Sequence, residues 1–135
     1  MDAARRELIE TARALVTEMN LGNGNSAGGV GAAIRTVGGN VYTGVCIDLS
    51  SGLGFCAEVA AMAQMVTHRE TQIEAVVAVT FGGILPPCGR CRETMSQIDP
   101  RNVDCTVIVS EAEDVRLHDL LPNHRWTRDE NHDDG

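Results

Sequence analysis

Residues 75–110 read AVVAVTFGGILPPCGRCRETMSQIDPRNVDCTVIVS, and two buried strands with a helix between them are legible in this one stretch. AVVAVT (75–80) and CTVIVS (105–110) are continuous apolar runs of strand length, the pattern of strands covered on both faces of a sheet. FGGILPP is a loop, and CGRCRETMSQI (88–98) sets Cys91, Met95 and Ile98 at helical spacing. Working outward, CAEVAAMAQMVTHRE (56–70) predicts a second helix, apolar on nearly every side and therefore buried on most of them. In so short a chain that implies a subunit interface besides the sheet, so a homo-oligomer is expected. Before it, VGAAIR (30–35) and VYTGVCI (41–47) predict a hairpin turned at Gly38-Gly39-Asn40. An amphipathic helix over about residues 3–19 carries Leu8, Ile9, Ala12, Leu15, Val16 and Met19, and LGNGNSAGG breaks it. Val115–Leu117 predicts a short last strand and His118–Leu121 a helical turn ended by Pro122. This alternation indicates an α/β fold, a three-layer α-β-α sandwich.

At 135 residues the chain is one domain's worth, expected over 1–128 with an acidic flexible tail over 129–135. The only aromatics are Tyr42, Phe55, Phe81 and Trp126, so an aliphatic core is expected. All 11 basic residues are Arg, which excludes a Schiff-base lysine, a P-loop lysine and any lysine general base. The net charge is −8, and residues 1–128 still hold 15 acidic against 11 basic residues. Neither nucleic acid nor an anionic membrane is expected as a partner. No apolar run approaches the roughly 20 residues of a membrane span. The N-terminal MDAARRELIE lacks a signal peptide's apolar stretch, so a cytoplasmic protein is expected.

Five cysteines then need a use, and in a reducing compartment metal binding or catalysis is a better one than disulfides. Cys56-Ala57-Glu58 and Pro87-Cys88-Gly89-Arg90-Cys91 each follow a glycine-bearing loop and open a helix, where the dipole favours thiolates. Three thiolates are a zinc-ligand set that leaves a fourth position for water. Glu58 lies two residues past Cys56 on the same turn, placed for proton transfer rather than for ligation. A thioredoxin-like redox pair would explain Cys88 and Cys91 but gives Cys56 and Glu58 no use. A structural zinc site needs a fourth protein ligand, for which Cys46, Cys105, His68 and the C-terminal histidines are candidates. Of these, Cys105 fits a core residue, and His68 lies roughly 18 Å from Cys56 along its helix.

These motifs resemble the cytidine deaminase superfamily, and the similarity runs over about residues 25–126. VGAAIRT with its hairpin, CAE, ILPPCGRCRE, the late DLLP and a Trp look like the small tetrameric cytidine deaminases, most of all their blasticidin-S deaminase branch. The resemblance implies a mixed five-stranded sheet with helices on both faces, a zinc ion held by Cys56, Cys88 and Cys91, and Glu58 as proton shuttle. It implies hydrolytic deamination of a cytosine-type nucleoside to the uracil form: Glu58 moves a proton from water to ring nitrogen N3, C4 is attacked, and ammonia leaves. The Ala57 N–H is then a donor to the pyrimidine O2. Three thiolates give the zinc site a net negative charge, and Arg90, between two ligands, is expected to offset it or else to stand exposed in its helix. Gly28 occupies the place of an aromatic that packs on the pyrimidine in this family. Cys46-Ile47-Asp48 stands where the family's ribose-gripping Asn-x-Glu stands, and Glu93 where it has Gln. Trp126 is expected to close the pocket or to plug an interface. A blasticidin-type nucleoside, a free base or another amino-heterocycle is the alternative substrate, and a non-catalytic zinc-binding scaffold the alternative of another class.

Overall fold

The structure is a computed structural model that describes residues 2–124. Chain order is α1 (Ala3–Arg13), β1 (Met19–Gly22), β2 (Asn25–Thr36), β3 (Val41–Asp48), α2 (Ala57–Thr67), β4 (Ile73–Thr80), β5 (Gly83–Leu85), α3 (Gly89–Ile98), β6 (Thr106–Ile108) and β7 (Asp114–Arg116), with short 3-10 turns at Pro100–Asp104 and Leu117–Leu120. The expected tail and Trp126 lie outside the described residues. No described helix is long and apolar enough to cross a membrane.

The sheet is mixed, as expected, and holds seven strands among the described residues rather than five. The additional two are the short β1 and β5, which pair with β2 and β4. β2 lies between β3 and β4, antiparallel to both, with Ala33 opposite Thr43 on one side and Val77 on the other. β4 and β6 run parallel, Val76 opposite Val107, because α3 carries the chain back across the sheet between them. β7 closes that end antiparallel to β6.

Alternate residues of the buried strands serve two cores. Ala33, Ala75, Val77, Val79 and Ile108 meet Leu8, Ile9 and Ala12 of α1 on one face. Ala32, Ile34, Val76, Ala78 and Val107 meet Ala61, Met62, Met65 and Met95 of α2 and α3 on the other. Each large side chain so buried contributes about 1.5–3 kcal/mol. Flexible methionines fill space that a chain this poor in aromatics cannot fill with rings.

Two expectations move. α1 stops at Arg13, well short of residue 19, because the Leu15 N–H bonds to Ala12 O and the Thr17 N–H turns to Gly28 O, which starts the pairing of β1. The glycine-rich stretch read as a breaker instead holds the end of β1, a turn at Asn23-Gly24 and the start of β2. Gly28, at φ +89°, is the irregularity at which register shifts between Ala27 and Gly31. The hairpin at Gly39 (φ +91°) forms as expected, and Glu70 accepts from Thr36 Oγ1 (2.6 Å), Asn40 Nδ2 (2.7 Å) and the Tyr42 hydroxyl around it.

Polar clasps hold the frame. Arg5, nearly buried, donates to Asp114 Oδ1 (2.8 Å), Glu111 O (2.9 Å) and Ser110 O (2.7 Å), tying α1 to the start of β7. Fully buried Asn102 accepts from the Ile73 N–H (2.8 Å) and donates to Thr71 O and Met95 O (3.0 Å each). Leaving such a group unpaired would cost about 1–3 kcal/mol. Gly44 of β3 touches α2 backbone to backbone: a Cβ there would stand 2.5 Å from Ala60 Cβ and 2.6 Å from Ala61 N.

Candidate metal and active site

Two helix starts meet at one point. Cys56 caps the N-terminus of α2 (φ −77°, ψ 156°) and Cys88 that of α3 (φ −71°, ψ 169°), both in extended backbone just before the helix. Cys91 lies one turn into α3 and is fully buried. The approach to α2 is shaped by a small β-bridge in which Ile47 and Phe55 exchange hydrogen bonds of 3.0 and 2.9 Å. Gly54 fits beside it because a Cβ there would meet Ile47 O at 2.3 Å.

The three thiols converge. Cys56 Sγ lies 3.3 Å from Cys88 Sγ, Cys88 Sγ lies 3.6 Å from Cys91 Sγ, and all three fall within 4.8 Å of one another. Tetrahedral zinc with bonds of about 2.3 Å sets sulfurs about 3.8 Å apart. The spacing and the all-thiolate donor set therefore fit zinc. Among the described residues no fourth His, Cys, Asp or Glu joins the group. Cys105 is in the core with its thiol pushed up to about 12 by burial, and His68 stacks against Tyr42 with ring centroids 5.2 Å apart. His118 and His124 pair with Asp119 and Glu93. A closed four-ligand site is not what these residues build.

The thiols differ in how readily they ionise. Burial raises Cys91 well above the usual thiol range, with the nearby Glu58 charge adding to it, and burial also raises Cys56. Burial pushes Cys88 up too, but hydrogen bonds from the Cys91 N–H, the other two thiols and the Arg90 N–H outweigh it and leave Cys88 below that range. Glu58 is 5% exposed, and burial raises its carboxyl. A buried carboxyl beside a group of thiols that fits a metal has the chemistry to hold and pass on a proton.

Above these groups opens a cavity of ≈ 660 Å³. Of the residues expected at the site, Cys46, Asp48, Cys56, Ala57, Glu58, Cys88 and Arg90 line it. Cys46 Sγ donates to Asp48 Oδ2 at 3.5 Å. Arg90 reaches Gly54 O with its guanidinium (3.4 Å), and its direct hydrogen bond to the ligands is the main-chain N–H at Cys88. Gly28 is not among the lining residues, and a Cβ at 28 would run into Thr17 O at 2.2 Å. Glu93 stands apart from the cavity, where it accepts from Gln97 (2.7 Å) and pairs with His124 (2.8 Å). Phe55, Thr80 and Leu85 also line the cavity and were not singled out from the sequence. Position 55, directly before a ligand, was the available signal for the first of them.

The geometry can be set beside known proteins. Residues 5–107 match the family described as cytidine and deoxycytidylate deaminase zinc-binding region. Blasticidin-S deaminase from Bacillus cereus is 32% identical over 129 residues, covering 86% of this chain and 88% of that protein. Cytidine deaminase from Halalkalibacterium halodurans is 32% identical over 107 residues, 76% of this chain and 80% of that protein. The crystal structure of cytidine deaminase from Mycobacterium tuberculosis superimposes with a TM-score of 0.76 at 28% identity, over 90% of this chain and 97% of that one. With three convergent cysteines and a buried glutamate at the floor of its cavity, this chain belongs to the cytidine and deoxycytidylate deaminase zinc-binding family.

Proposed function

We propose that the chain is a zinc-dependent hydrolase that deaminates a cytosine-type nucleoside, cytidine or deoxycytidine, to its uracil form with release of ammonia. The observation that carries this reading is a buried Glu58 carboxyl sharing a ≈ 660 Å³ cavity with Cys56 and Cys88. Zinc, held by Cys56, Cys88 and Cys91, supplies the Lewis acidity that makes water nucleophilic near neutral pH. Glu58 takes one proton of the attacking water and passes it to ring nitrogen N3, then carries the remaining proton of the hydroxyl added at C4 to the amine, which leaves as ammonia while C4 becomes a carbonyl. The Ala57 N–H, in a first turn whose N–H groups have no partner within the helix, orients the pyrimidine O2. Cys46 and Asp48 face the sugar, with the Asp48 carboxylate accepting from a hydroxyl or an ammonium group.

The Arg90 guanidinium at the cavity wall offsets part of the negative charge of the three thiolates, beside the main-chain N–H at Cys88 that any residue at position 90 would keep. Replacing Arg90 by Ala is expected to lower turnover more than zinc content, and unchanged turnover would remove it from the site. A homotetramer is the proposed assembly, supported by apolar side chains left exposed, among them Phe81 and Leu53. Five unpaired cysteines support a cytoplasmic location.

A blasticidin-S-type nucleoside is the second reading, supported by the similarity to the Bacillus cereus blasticidin-S deaminase and by a Cys-x-Asp wall in place of the expected amide. The deciding experiment is an ammonia-release screen over cytidine, deoxycytidine, cytosine, blasticidin S and aminopurines, on protein whose assembly is measured by light scattering. Activity on cytidine supports the first reading and activity confined to blasticidin S the second. Activity on purines alone refutes the pyrimidine assignment, and no ammonia from any of them leaves a zinc-binding scaffold.

A further inference from the structure

The cavity has an aromatic wall, and it comes from a place the family resemblance does not point to. Of the chain's four aromatics, Tyr42 is engaged with Glu70 and His68, Phe81 is 74% exposed and absent from the lining, and Trp126 lies outside the described residues. Phe55 is half-buried and lines the cavity directly before Cys56, a ligand of the metal group. Its backbone is pinned by both hydrogen bonds of the bridge to Ile47, which itself lies between Cys46 and Asp48 on the cavity wall. Gly28, where the resemblance looks for an aromatic, has no room for any side chain. Among the described residues the rest of the wall carries no other aromatic ring.

We infer that Phe55 is a specificity-determining residue that packs against the face of the substrate's amino-heterocycle and holds its amine-bearing carbon over the metal group. The inference rests on the deaminase reading for the identity of the ring. Because the Ile47 bridge holds residue 55 before any ligand arrives, the ring contact orders little additional chain. Base–aromatic stacking of this kind changes affinity roughly ten- to a hundred-fold. The contact is to the base and not to the sugar, so nucleoside and free base feel its loss alike.

Uridine and uracil, which have no amine to lose, read the contact without turnover. Phe55→Ala is expected to weaken calorimetric binding of both by at least ten-fold and to raise KM for cytidine similarly, with kcat within about three-fold and zinc content unchanged. Phe55→Leu, which keeps apolar bulk without a π face, is expected to recover folding but only part of the affinity, and Phe55→Tyr to recover nearly all of it. Equal binding by the wild-type and Leu forms overturns the inference, as does a loss felt by uridine and not by uracil. Wild-type protein that binds uridine through Phe55 yet releases no ammonia from cytidine overturns the deaminase reading alone.

Discussion

Replacing Glu58 by Gln is expected to lower ammonia release by roughly 10²- to 10⁴-fold while the protein keeps its zinc. The two side chains are the same size, so the packing around a residue only 5% exposed is preserved. Only the capacity to carry a proton is removed. Glu58 is outside the group of three thiols that fits the metal, so metal content should not follow activity down. Steady-state ammonia release and metal analysis on one preparation decide the matter. A Gln variant with more than about a tenth of wild-type turnover would show that some other group moves the proton.

The second large effect is expected at Cys91. This residue is fully buried, and its sulfur is 3.6 Å from that of Cys88. Cys91→Ser keeps the shape but substitutes a hydroxyl that does not ionise near neutral pH and suits zinc poorly. Zinc affinity should fall by more than the roughly 10–100-fold that loss of a group merely supporting a ligand costs. Ammonia release should fall below detection with it. Cys105→Ala is the matched control, because Cys105 is an equally buried thiol in the core and outside the metal group. It should keep a full complement of zinc. If both variants retain zinc after gel filtration, the three-cysteine assignment fails.

Much of the fold and the centre of the site was legible because short-range chemistry determines them. Cys56 and Cys88 announce two helix starts, and the structure brings their thiols together with Cys91. AVVAVT reads as a strand buried on both faces, and Val76 and Val77 do point to different cores. The misses have a common cause, which is that tertiary contacts overrode a local signal. Asn25–Gly29 is punctuated like a loop, yet pairing with β1 and β3 draws it into β2 with a bulge at Gly28. Residues 14–18 have helical spacing, yet the Gly28 carbonyl captures the Thr17 N–H. The short strand β5 has only three residues, too few for a period to be visible. Phe55 was invisible as a wall residue because it gets its place from a bridge to Ile47, eight positions back, which no pattern along the chain announces.

The contact between Gly44 and the Ala60–Ala61 backbone fixes more than packing. It sets how closely the strand that carries Cys46 and Asp48 can approach the helix that carries Glu58. Side chains at 48 and 55, outside the buried cluster that Cys46 shares with α2, can therefore be exchanged without displacing the proton carrier or the metal ligands. Substrate range and chemical step become separate inheritances: one drifts along a strand and a loop, while the other is anchored where two backbones touch. A lineage built on this frame can change what it acts upon without relearning how to act, provided residue 44 never gains a side chain.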